Sequence, residues 1–123
     1  MRRRLVLLPV LALLLLAVTA APAAAGDCSV TPDPVPLGSD FTITATGLTP
    51  VAWYAITVSQ GGGNVAHPQD FRQTDAAGAF SYTRNTALPG TQILHEGAAR
   101  VRIDGANFDP TAQGTARCSF TII

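Results

Sequence analysis

In Phe41-Thr42-Ile43-Thr44-Ala45-Thr46, apolar and polar residues alternate without a break. An extended chain turns successive side chains to opposite faces, so this run predicts a strand with one dry face and one wet one. The same period of two recurs at Tyr54, Ile56 and Val58, at Phe80 and Tyr82, at Val101 and Ile103, and at Ala116, Cys118, Phe120 and Ile122. Cys28 and Val30 share a parity and make a short first strand. Residues 65–73 are a weaker candidate, which Pro68 confines to an edge or a bulge. Trp53 has the parity opposite to Tyr54, Ile56 and Val58, so either that strand is bulged near its start or Trp53 faces out.

Turn chemistry fills the gaps. Pro32, Pro34 and Pro36 stiffen the segment after the first strand, and Gly47-Leu48-Thr49-Pro50 separates the second from the third. Gly61-Gly62-Gly63-Asn64, Asp75-Ala76-Ala77-Gly78 and Asp104-Gly105 mark further turns. No stretch carries a capped helical period, and residues 86–99 read as a long connection. The fold class is therefore all-β: a single immunoglobulin-like sandwich of about seven antiparallel strands.

The first residues set the compartment. Arg2, Arg3 and Arg4 precede an apolar run over 5–20 and a small-residue exit over 21–25, the pattern of a secretory signal peptide. Cleavage of residues 1–25 before Gly26 leaves one domain at 26–123, secreted and without stable membrane insertion. The aspartate before Cys28 does not suit a lipoprotein signal. The domain holds five arginines against eight carboxylates, a net charge of −3 with neutral histidines. Along the sequence Arg72, Arg84, Arg100, Arg102 and Arg117 are spread rather than massed, which argues against nucleic acid as a partner. The absence of lysine hints at a high-GC, actinobacterial source. Outside the cell the two cysteines have one internal pairing, Cys28 with Cys118, which ties the first strand to the last.

Val30-Thr31-Pro32, Leu37-Gly38-Ser39, the strand from Phe41 to Gly47, Tyr54-Ala55-Ile56 and Thr74-Asp75-Ala76-Ala77-Gly78-Ala79-Phe80 resemble the bacterial immunoglobulin-like domains of small secreted actinobacterial proteins. A narrower set, Val30-Thr31-Pro32, Gly47-Leu48 and the stretch from Asp70-Phe71 to Gly78, resembles the neocarzinostatin-like apoproteins. That second resemblance implies a secreted sandwich holding an enediyne chromophore in a cleft. The family has two short-range disulfides beside its cleft and this chain has one long-range pair, so no binding residue carries across.

Residues with site chemistry are few. His67, Asp70, His95 and Glu96 do not have converging metal-ligand spacing, and Asp104, Asn107 and Asp109 read as an Asp-Gly turn followed by an Asp-Pro stop. No serine or cysteine stands beside a recognisable base, so no enzyme is expected, and neither a metal nor another cofactor. Leu88-Pro89-Gly90-Thr91 looks like a truncated cell-wall sorting signal, with Gln92 where glycine is needed. The expected function is a monomeric extracellular binding or adhesion module for a protein, a glycan or a small molecule. Its candidate surface is Trp53, Tyr54, His67, Phe71 and His95. The alternative is a small-molecule carrier with an apolar cleft.

Overall fold

The computed structural model describes residues 25–61, 64–65, 69–87 and 94–123. All but the last residue of the expected signal peptide, His67, and the sorting-like Leu88-Pro89-Gly90-Thr91 lie outside the described residues.

Among the described residues eight segments are strands: β1 (Asp27–Thr31), β2 (Asp40–Thr46), β3 (Trp53–Gln60), β4 (Asn64–Val65), β5 (Asp70–Gln73), β6 (Phe80–Asn85), β7 (Gly97–Gly105) and β8 (Thr115–Ile122). A smaller sheet has the order β1-β2-β6, and a larger one runs β4-β3-β7-β8 with β5 also against β3. All strand pairs are antiparallel. β7 occupies one flank of β3 from Tyr54 to Gln60, so β4 and β5 share the other flank. Eight segments thus fill seven strand positions. The shared one falls on the 65–73 candidate and lies at a sheet edge, while Pro68 itself is outside the described residues. No helix occurs among the described residues.

The alternation read from the sequence is the burial pattern. Phe41, Ile43 and Ala45 from one sheet meet Tyr54, Ile56, Val58, Val101, Ile103, Phe120 and Ile122 from the other. Phe41 and Phe120 touch across the gap with ring centroids 4.9 Å apart. Each large apolar side chain removed from water contributes about 1.5–3 kcal/mol. One parity breaks the rule: Arg84 follows Phe80 and Tyr82 inward on β6 and is buried.

After β1 the chain changes sheets. Val35 pairs in parallel with Ile122, its N–H donating to the Thr121 carbonyl at 2.9 Å and its carbonyl accepting from Ile123 at 2.9 Å. Asp33 accepts a further bond from the Thr121 N–H at 3.0 Å. The proline-rich run therefore covers the outer edge of β8 at its last residues, which would otherwise offer unpaired backbone groups. On the same side, Cys28 of β1 is bonded to Cys118 of β8 with the Cα atoms 5.6 Å apart, so the bridge ties one sheet to the other.

The turn before β6 is fixed by Asp75, whose carboxylate accepts from the N–H groups of Ala77 at 2.8 Å and Ala79 at 3.0 Å. Gly78 has φ +78, and a Cβ there would overlap the Leu48 carbonyl oxygen. Gly78→Ala is expected to cost about 2–3 kcal/mol, from left-handed backbone strain plus displacement of the Leu48 turn. Urea unfolding of the variant checks this; a loss below about 0.5 kcal/mol would show that the turn relaxes freely.

Candidate functional site

The outward residues of the larger sheet build a face of unusual composition. Register places Phe71, Ala55, Asp104 and Thr115 in one row across β5, β3, β7 and β8. The next row holds Thr57, Arg102 and Arg117, and the one beyond it Ser59, Arg100 and Ser119. Trp53 lies one row beyond that of Phe71, on the side away from the arginines and opposite Gln73.

At that end three aromatic rings remain open to solvent: Trp53 is 38% exposed, Phe71 37% and Phe108 62%. Phe108 lies 6.1 Å from Trp53 and 5.3 Å from Phe71, centroid to centroid, with ring planes tilted by 54° and 57°. These are ordinary aromatic packing distances and angles. Leaving such a cluster wet is unfavourable, and exposed apolar patches mark interaction surfaces. A cleft of about 450 Å³ opens beside it, lined by Ala55, Gln69, Phe71, Arg102 and Phe108 among others. A second cleft of about 410 Å³ lies on the same face, lined by Ser59, Arg100, Arg102, Arg117 and Ser119.

Phe108 is brought to the cluster by a tethered loop, residues 106–114. The Ala106 N–H donates to the Trp53 carbonyl at 2.9 Å. The Trp53 N–H donates in return to the Asp109 carboxylate at 2.7 Å. Asp109 also accepts from the Thr111 hydroxyl at 2.5 Å and the Thr111 N–H at 3.0 Å. The Thr111 hydroxyl, followed by the Trp53 N–H, holds the Asp109 carboxyl below its ordinary value of 3.8. A carboxylate with a depressed folded pKa stabilises the tether above the unfolded value and loses that effect as pH falls through the folded one. Trp53 is the chain's single tryptophan, so its emission reports on this tether. Its emission is expected to hold as pH falls to the ordinary carboxyl value of 3.8 and to move to longer wavelength only at lower pH, and Asp109→Asn should flatten the profile. An unchanged profile in that variant would remove Asp109 from the tether.

The expected surface divides. Trp53 faces out on an unbulged strand, and Phe71 joins it. Tyr54 is a correction: it is fully buried, because it shares the parity of Ile56 and Val58, and belongs to the core rather than to any surface. His95 is exposed but lies beside Gln60, which accepts its N–H at 2.8 Å. That is the far end of β3 from Trp53, about 23 Å along the strand. Phe108 was not anticipated; its only signal was a large aromatic inside the turn Asn107-Phe108-Asp109-Pro110. Asp104 forms an ion pair with Arg102 at 2.6 Å, and no group of three or more metal-ligating side chains converges among the described residues.

A second polar cluster closes the flank between β5 and β6. The Tyr82 hydroxyl donates to Asp70, Arg84 reaches the same carboxylate at 3.5 Å, and the Arg72 guanidinium lies 4.2 Å over the Tyr82 ring. Burial, then the bond to Asp70, pushes the Tyr82 hydroxyl up to about 12, so it remains a proton donor at neutral pH. The Nε and Nη1 groups of the buried Arg84 have no acceptor among the described residues.

No protein-family model matches this sequence, and neither does any curated protein. Among solved structures, macromomycin aligns with a TM-score of 0.53 and 17% identity, over 80% of this chain and the whole of the other. The two share a fold. At that identity the likeness concerns architecture alone, and it carries no residue of one chain onto the other.

Proposed function

We propose that this protein is a secreted, non-enzymatic carrier that holds a small, largely apolar compound against the outer face of its larger sheet. The observation that carries this reading is the open aromatic cluster Trp53–Phe71–Phe108 with a cleft of about 450 Å³ beside it and a second of about 410 Å³ farther along the same face. Small-molecule sites combine concave apolar surface with a few placed polar groups, and their volumes fall in this range. The likeness to macromomycin, a neocarzinostatin-family apoprotein, supports a carrier above the adhesion module that the sequence placed first. The disulfide and the fold also accord with secretion, and we treat the chain as a monomer once residues 1–25 are removed.

Native mass spectrometry of protein collected from the medium of a secreting host tests the reading. The expected result is a disulfide-bonded monomer carrying a discrete extra mass that leaves on denaturation. A bare protein that also fails to bind naphthalene-type hydrophobic probes would return the adhesion module to first place.

A further inference from the structure

We infer that the compound held on this face carries an acidic group, bound by Arg100, Arg102 and Arg117. The inference rests on the carrier reading and names the chemical class of its ligand.

Strand register does what linear spacing hides. Arg102 of β7 stands directly opposite Arg117 of β8, and Arg100 lies two residues along β7 on the same face. All three are exposed. Like charges directly opposite one another destabilise a ladder, so fold stability gives no reason to place them there. The domain carries an excess of carboxylates, yet three of its five arginines share this face. The other two, Arg72 and Arg84, pack around Tyr82. The arginines are therefore gathered into two groups, which corrects the impression of scatter along the sequence.

Counter-charge is scarce where the three meet. Asp104 is the sole carboxylate among the outward residues of β3, β5, β7 and β8, and it is taken by Arg102. Among the described residues neither Arg100 nor Arg117 has an ion-pair partner. Both line the 410 Å³ cleft with Ser59 and Ser119, whose hydroxyls add neutral hydrogen-bonding groups. Arg102 lines both clefts, so the cationic ground runs directly into the aromatic cluster. Guanidinium groups present planar forks of N–H donors that match carboxylate, sulfonate or phosphate oxygens.

Dimensions follow from the strands. Successive outward rows are about 7 Å apart, which places the arginine rows on the order of 7 and 14 Å from the row of Phe71. The ligand is thus an elongated aromatic or polycyclic acid. Its ring system lies on Trp53, Phe71 and Phe108, and its anionic end reaches toward Arg117 and Arg100. A neutral hydrocarbon would satisfy the first group and leave the second unpaired.

A matched pair of probes tests this on the disulfide-bonded protein. 8-Anilinonaphthalene-1-sulfonate and N-phenyl-1-naphthylamine share a ring system and differ by the sulfonate. Fluorescence titration is expected to show the sulfonate binding about tenfold tighter at low ionic strength, with the advantage shrinking as salt is added. Arg100→Gln/Arg117→Gln should remove the advantage and leave the neutral probe unaffected, whereas Phe108→Ala should weaken both. Equal binding of the two probes, unchanged in the arginine variant, would overturn the acidic ligand and leave the carrier standing. Failure of both probes to bind would count against the carrier itself. Displacement of the sulfonate by a short oligothymidylate binding more tightly would make the face a nucleic-acid surface and overturn the small-molecule assignment.

Discussion

Cys28→Ala/Cys118→Ala is expected to lower stability by about 4–5 kcal/mol relative to the oxidised protein. The bridge closes a sequence separation of 90 residues, nearly the whole domain. In the chain-entropy account a loop of that length removes about 4–5 kcal/mol of freedom from the unfolded ensemble. A domain of this size has a total stability of about 5–15 kcal/mol and moves by about 4–8 °C for each kcal/mol, so the midpoint should fall by roughly 20 °C or more. The variant should also unfold with a steeper denaturant dependence, because its unfolded chain exposes more surface. Thermal and guanidinium unfolding of the two forms measure both effects. A loss below about 1 kcal/mol would mean that the unfolded chain already keeps its two ends together, or that the Val35–Ile122 pairing closes the sandwich without the bridge.

That pairing also marks a boundary of what the sequence discloses. Strands were legible wherever one face is buried, because burial imposes a period of two: β2, β3, β6 and β8 lie where alternation placed them. β7 begins earlier than expected, at Gly97, because Gly97 and two alanines give little contrast between faces. β6 runs past Thr83 to Asn85 because its next inward residue is Arg84, which a rule based on apolarity cannot follow. The switch of sheets after β1 left no periodic trace at all. Pro32, Pro34 and Pro36 signal stiffness, yet the partner that Val35 meets lies at the opposite end of the chain.

The candidate site was legible in the same uneven way. Parity set Trp53 against Tyr54 and left either a bulge or an outward Trp53, and the same parity argument, applied strictly, would have kept Tyr54 out of any surface. Phe108 sits in a turn, where no period exists to interpret it. The arginine group depends on β7–β8 register, and register is a relation between strands that neither strand carries by itself.

Tyr54 joins the core to the binding face, and its removal is expected to disturb both. Its ring is fully buried, while its hydroxyl accepts from the Thr49 N–H at 2.9 Å and donates to the Gln113 carbonyl at 2.5 Å. Gln113 is bound a second time, its N–H donating to the Thr49 hydroxyl at 3.1 Å. Loop 106–114 therefore hangs from the β2–β3 turn at one end and from Trp53 at the other, with Phe108 between them. Tyr54→Phe keeps the ring and strands two polar groups, which costs about 1–3 kcal/mol. Tyr54→Ala also leaves a cavity in the core and should cost about 3–5 kcal/mol. Urea unfolding separates the two variants. Trp53 emission separates stability from site geometry: a loop released by Tyr54→Phe exposes the indole, shifts its emission to longer wavelength and raises its quenching by acrylamide, all in protein that is still folded. Should Tyr54→Phe instead match the parent within about 0.5 kcal/mol, with identical quenching, water replaces the hydroxyl and the aromatic face is held by Asp109 and Ala106 alone.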